Sequence, residues 1–145
     1  MRRSGLVLVF GALSVTTVAG CGKSQPTKAQ YTARANALCA AEIKSLRRLA
    51  EFRHTPDELI RESFRIHERA NAQLRAIPIP PKEKVPAEWI QLRETAIANA
   101  RKILTVKPNS RENRAANRAY SRAEAAAVKI ALSYGMRRCS GFAAA

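Results

Sequence analysis

The chain is poor in the side chains that usually carry chemistry. Its 145 residues include two histidines, three cysteines and 11 acids against 26 basic residues. His54 and His67 lack the spaced second histidine or carboxylate that a zinc site needs. There is no glycine-rich phosphate loop and no Cys-x-x-Cys, and no serine, histidine and acid stand around a nucleophile elbow. These absences argue against an enzyme and against a metal or cofactor site. The uncharged stretch from Gly5 to Val18 is about 14 residues long, too short for a bilayer span, which takes roughly 20.

What stands around that stretch gives it another meaning. Met1-Arg2-Arg3 is a short cationic start, Gly5 to Val18 an apolar core, and Val18-Ala19-Gly20-Cys21 a lipobox. The small residues let a signal peptidase reach the backbone, and the Cys21 thiolate takes a diacylglycerol. The sequence therefore predicts a lipoprotein signal peptide over 1–20 and a lipid-anchored, palmitate-bearing protein facing outward from the cell membrane. The alternative is an ordinary secretory peptide with a coincidental cysteine. Arg2 and Arg3 lack the bulky apolar pair of a twin-arginine signal and read as plain charge.

Removing 1–20 takes away two arginines and no acid, so the charge falls from +15 to +13. Such an excess favours anionic neighbours, namely lipid headgroups or phosphate-bearing wall polymers; export makes nucleic acid a poor candidate. The abundance of arginine and alanine is also what a GC-rich genome imposes. With Cys21 consumed by lipid, Cys39 and Cys139 are left as a pair in an oxidising compartment, where a disulfide is expected. A reactive or metal-binding thiol is the competing reading, and neither residue has a Cys-His neighbourhood to support it.

Residues 21–27 read as a polar tether and 28–139 as one helical domain, with 140–145 as a tail. Apolar residues recur at helical spacing in four segments. The first, from about Lys28 to Arg53, carries Tyr31, Ala35, Leu38, Cys39, Ile43, Leu46, Leu49 and Ala50. Thr55-Pro56-Asp57-Glu58 then reads as an N-cap, a proline in the first turn and acids at the positive end of the dipole. The second helix turns Leu59, Ile60, Phe64, Ile66, His67, Ala70 and Leu74 inward, and Pro78, Pro80 and Pro81 end it. After a stiff proline connector, a third helix buries Trp89, Leu92, Ala96, Ile97, Ala100, Ile103 and Leu104. The fourth runs from Arg111 to Tyr134, presents mostly alanines, and ends on Gly135. The expected fold is all-α, a four-helix up-and-down bundle, with the tail after Gly135 folded back along the first helix so that Cys139 reaches Cys39.

Tyr31-x-x-x-Ala35-Asn36-Ala37-Leu38-Cys39, the proline-rich break, the Trp89-headed helix and Tyr134-Gly135-x-x-x-Cys139 resemble the small all-helical exported or lipid-anchored proteins of actinobacteria. The resemblance spans about residues 31 to 139. It implies a helical fold with Cys39 and Cys139 paired, and it transfers no catalytic residue.

Three features remain as site candidates. Glu42, at the edge of the first apolar stripe, is expected to pair with an arginine, and His67 to be a satisfied boundary residue. Arg111, Arg114, Arg118, Arg122 and Lys129 form a basic stripe on the fourth helix, away from its alanine face. Its plain reading is a solvated face; its functional reading is contact with an anionic surface or an envelope protein. The favoured expectation is a non-enzymatic, membrane-anchored interaction module acting through that edge. The alternative is a binder of small apolar ligands with a cleft near Trp89 and Tyr120.

Overall fold

The computed structural model describes residues 25–143, with side chains to residue 140. Cys21, the signal peptide and part of the tether and tail lie outside these. The described chain is a helical bundle: α1 (Lys28–Glu51), α2 (Pro56–Arg75), α3 (Val85–Thr105), α4 (Arg111–Tyr134) and a final 3-10 segment, Arg137–Ala143. No strand occurs among the described residues.

Each helix begins where its own sequence satisfies the orphan N–H groups. Thr27 and Gln30 form a capping box at α1, and Thr55 and Glu58 form another at α2. The Ser110 hydroxyl accepts from the Asn113 N–H at 3.0 Å to start α4. Asn109 just before it sits in the left-handed region, φ 60°, which asparagine tolerates. At α3 no side chain caps the start; Pro86 in the first turn lacks an N–H to satisfy. Gly135 ends α4 at φ 97°, with the Met136 N–H donating to the Ala131 carbonyl at 2.7 Å.

The helices pack in chain order: α1 on α2, α2 on α3, and α3 on α4 most extensively of all. The last pairing follows from α4's small face, since Ala116, Ala123, Ala127 and Ala131 are buried there and let the two backbones approach. Helices α1 and α4 have no comparable direct packing; the 3-10 segment lies between them and touches both. Asn36 on α1 fastens it, donating to the Gly135 carbonyl at 3.2 Å and accepting from the Arg138 N–H at 2.9 Å. The Cys39–Cys139 disulfide locks it, with Cα atoms 5.1 Å apart and 100 residues of chain enclosed.

The core collects at this end. Tyr31, Ala35, Cys39, Leu74, Ile77, Trp89, Ile90, Ala127, Ala131, Tyr134, Met136 and Cys139 form one buried cluster. Tyr31 and Tyr134 meet edge to face, with centroids 6.1 Å apart. Burial, with Tyr134 beside it, pushes the Tyr31 hydroxyl up to about 12. Among the described residues, the helix caps, the buried cluster and the disulfide are supplied by residues 27 to 139.

Candidate functional site

Beyond that core the bundle changes character. The first layer is ionic. Arg93 of α3 is 2% exposed and Glu42 of α1 5% exposed, and one guanidinium nitrogen, Nη2, donates to both carboxylate oxygens at 2.8 and 2.9 Å. Arg93 Nε donates to Asn71 Oδ1 of α2 at 2.8 Å, and its guanidinium lies 5.3 Å from the Trp89 ring centroid. His67 Nδ1 sits 2.7 Å from Glu42 Oε1, which places the proton on Nδ1. Burial works against the Arg93 charge and lowers its pKa; Glu42 opposes that shift. The cluster ties three helices together, and removing either ionic partner of such a pair costs about 3 to 5 kcal/mol, because a buried charge is left alone.

Below this layer is a cleft of about 480 Å³. Leu46 and Ala50 of α1, Leu59, Ile60, Ser63, Phe64 and His67 of α2, Ile97, Ala100, Ile103 and Leu104 of α3, and Asn117 and Tyr120 of α4 line it. All four helices contribute, and most of the lining is apolar. His67 thus joins two regions, with one ring nitrogen in the ionic layer and its body on the cleft wall. The Tyr120 hydroxyl donates to Glu124 Oε1 at 3.1 Å. Burial foremost, and then Glu124, pushes it up to about 12, so it stays a neutral donor. Arg101 pairs with Glu68 and lies over the ring of Phe64, one of the cleft's lining residues.

Sequence reasoning found some of these positions and misplaced others. Glu42 pairs with an arginine as expected, and His67 is a satisfied boundary residue. Tyr120 lines the cleft, whereas Trp89 is fully buried in the closed core and does not reach it. Leu59, Ile60, Ala50 and Leu104, expected inside, are exposed, because they border the cleft instead of a packed core. Arg93 and Asn71 were not among the expected core positions; they are polar residues at helical spacing on the inward faces, next to Trp89 and Ala70. Their register was the available signal. His54 lies in the exposed α1–α2 loop.

Arg111, Arg114, Arg118, Arg122 and Lys129 are all exposed on α4, and none has an ion-pair partner among the described residues. The Arg114 guanidinium donates to the Asn109 carbonyl. Surface acids are engaged elsewhere: Glu62 by Arg65, Glu94 by Arg75 and Glu68 by Arg101. No group of three metal-ligating side chains occurs among the described residues. None of their helices is long and apolar enough to cross a membrane. No family model, curated protein or solved structure matches this chain.

Proposed function

We propose that this protein is an envelope lipoprotein, cut before Cys21 and anchored by acyl chains on it, whose bundle binds a small apolar molecule. The observation that carries the ligand reading is the cleft of about 480 Å³ lined by apolar side chains of all four helices, within the size range of small-molecule sites. Four helices in up-and-down order are part of the proposal. The ion pairs from Arg75 to Glu94 and from Glu68 to Arg101, which pair rising positions on α2 with falling ones on α3, support it. The protein acts as a binder rather than an enzyme. The anchor leaves from the start of α1, and the cleft opens roughly 30 Å along that helix at 1.5 Å per residue, so the site faces away from the anchored end.

The five unpaired cations on α4 favour a second reading, in which this edge meets anionic headgroups, wall polymer or an acidic envelope protein. A row of such charges adds about 1 kcal/mol per residue near an anionic membrane.

Two measurements test the main reading. Mass spectrometry of membrane-extracted protein finds an acylated Cys21 at the N-terminus, and Cys21→Ala abolishes both cleavage there and membrane retention; a free, soluble Cys21 species in cells rejects the anchor. A neutral hydrophobic fluorophore brightens and saturates at one site on the wild type, and Ala100→Phe, which fills the cleft, removes the signal. Equal brightening by both proteins rejects the cleft as the site.

A further inference from the structure

The cleft has no Asp, Glu, Lys or Arg in its wall. A charge carried into it would give up hydration without meeting a counter-ion, so the part of a ligand that it encloses is neutral. Its polar side chains come from two helices only. Ser63 and His67 stand one turn apart on α2, and Asn117 and Tyr120 one turn apart on α4, while α1 and α3 supply only apolar side chains. The donors in this wall are already spent. The Ser63 hydroxyl donates to the Leu59 carbonyl at 2.8 Å, and the Tyr120 hydroxyl to Glu124 Oε1 at 3.1 Å. Asn117 Nδ2 donates to the Asn113 carbonyl at 2.9 Å and to Asn113 Oδ1 at 3.2 Å, one bond for each of its two hydrogens. His67 holds its Nδ1 proton against Glu42. Every lining residue lies inside a helix, where the main-chain N–H is taken by the helix bond. The acceptors are not spent: among the described residues no group donates to Ser63 Oγ, Asn117 Oδ1 or Tyr120 Oη.

That imbalance selects among apolar ligands. A ligand carbonyl or ether oxygen gains a bond here only by taking a proton from an existing one, and at Tyr120 the existing bond runs to a carboxylate and is stronger than the neutral bond that would replace it. A ligand hydroxyl adds a bond and breaks none. Among the acceptors, the Asn117 and Tyr120 oxygens belong to side chains three positions apart on one face of α4, whereas the Ser63 oxygen is drawn back onto the backbone of its own helix. We propose that the cleft binds a neutral alcohol with a hydrocarbon body, its hydroxyl donating to the Asn117 and Tyr120 pair of acceptors on α4. This rests on the reading of the cleft as a ligand site and names the class of its ligand.

The test is calorimetry on the protein from residue 22 onward, which keeps all four helices and the disulfide. Menthol and menthone are the probes, since they share one carbon skeleton and differ in carrying a hydroxyl or a carbonyl. Menthol binds about fivefold more tightly than menthone, the worth of one added hydrogen bond. Tyr120→Phe with Asn117→Leu removes both acceptors, brings menthol down to the affinity of menthone, and leaves menthone binding where it was, which also shows that the variant is folded. Equal affinity of the wild type for the two probes, or a preference for menthone, overturns the alcohol site while the cleft stands. A menthol preference that survives the double substitution, in a protein that still binds menthone, overturns the assignment to α4. Binding of neither probe, while the neutral fluorophore still brightens, overturns the alcohol site alone; binding of neither, with no brightening, removes the cleft reading itself. The two probes on the wild type decide for or against the alcohol without any variant.

Discussion

The two ends of this bundle are built from the same four helices with the same apolar spacing, yet one is closed and the other open. At the closed end Trp89, Tyr31, Leu74 and Met136 are wholly buried, and a covalent bridge joins α1 to the chain's end. At the open end Phe52 is 68% and Leu104 51% exposed, and a cleft replaces the core. Helix propensity and amphipathicity do not distinguish them. What differs is the seam between α1 and α4, filled at one end by the 3-10 segment and left unfilled at the other. The Glu42, Arg93, Asn71 and His67 layer marks the boundary. At the open end Thr55 caps α2 and Ser110 caps α4, while Ala116 and Leu46 remain buried beside the cleft. The binding site proposed for the cleft would gain from that division, since a closed, disulfide-locked end can hold the walls of a cleft that stays accessible.

Removing the bridge should blur this contrast most. Enclosing 100 residues is worth about 4 to 5 kcal/mol in the chain-entropy account. Cys39→Ser with Cys139→Ser should lower the denaturant midpoint accordingly, and an unchanged midpoint would mean that Tyr31, Trp89 and Met136 close the end unaided.

Paired truncations sharpen the comparison directly. Leu74→Ala, in the closed core, should cost about 3 kcal/mol because it opens a cavity among packed neighbours. Leu104→Ala at the cleft rim should stay within about 0.5 kcal/mol. Similar losses at the two positions would show that the open end is packed in solution.

The smallest effect belongs to the cap. Thr55→Ala should cost about 1 kcal/mol at neutral pH. Hydrogen bonds from the Thr55 backbone and side chain, with smaller help from His54 and Arg61, hold the Glu58 pKa below its ordinary value. A carboxylate with a lowered folded pKa stabilises above its unfolded pKa and loses that contribution as pH falls through the folded one. The gap between wild type and Thr55→Ala should therefore narrow on acidification below the ordinary carboxylate range; a gap constant down to strong acid would put the stabilisation elsewhere than Glu58.

Local chemistry was legible in the chain because it acts over a few residues. The Thr55 cap, the Gly135 stop, the four apolar stripes and the pairing of Cys39 with Cys139 all follow from short-range geometry or from counting. Glu42's need for a cation was equally plain. Which of 26 basic residues would meet it was not, because Arg93 reaches Glu42, with Asn71 held on its Nε, only after three helices have set their rotations about one another. Asn36 stood in the pattern around Cys39, but its clamp on Gly135 and Arg138 exists only across a fold-back of about a hundred residues. By itself the sequence determined the helices, their ends and the cysteine pair, since each depends on neighbours along the chain or on composition. Only the tertiary structure decided that Trp89 belongs to the closed core and that Leu59, Ile60 and Leu104 border a cleft. Those facts depend on how far α1 and α4 stand apart, a distance that no periodicity along one helix encodes.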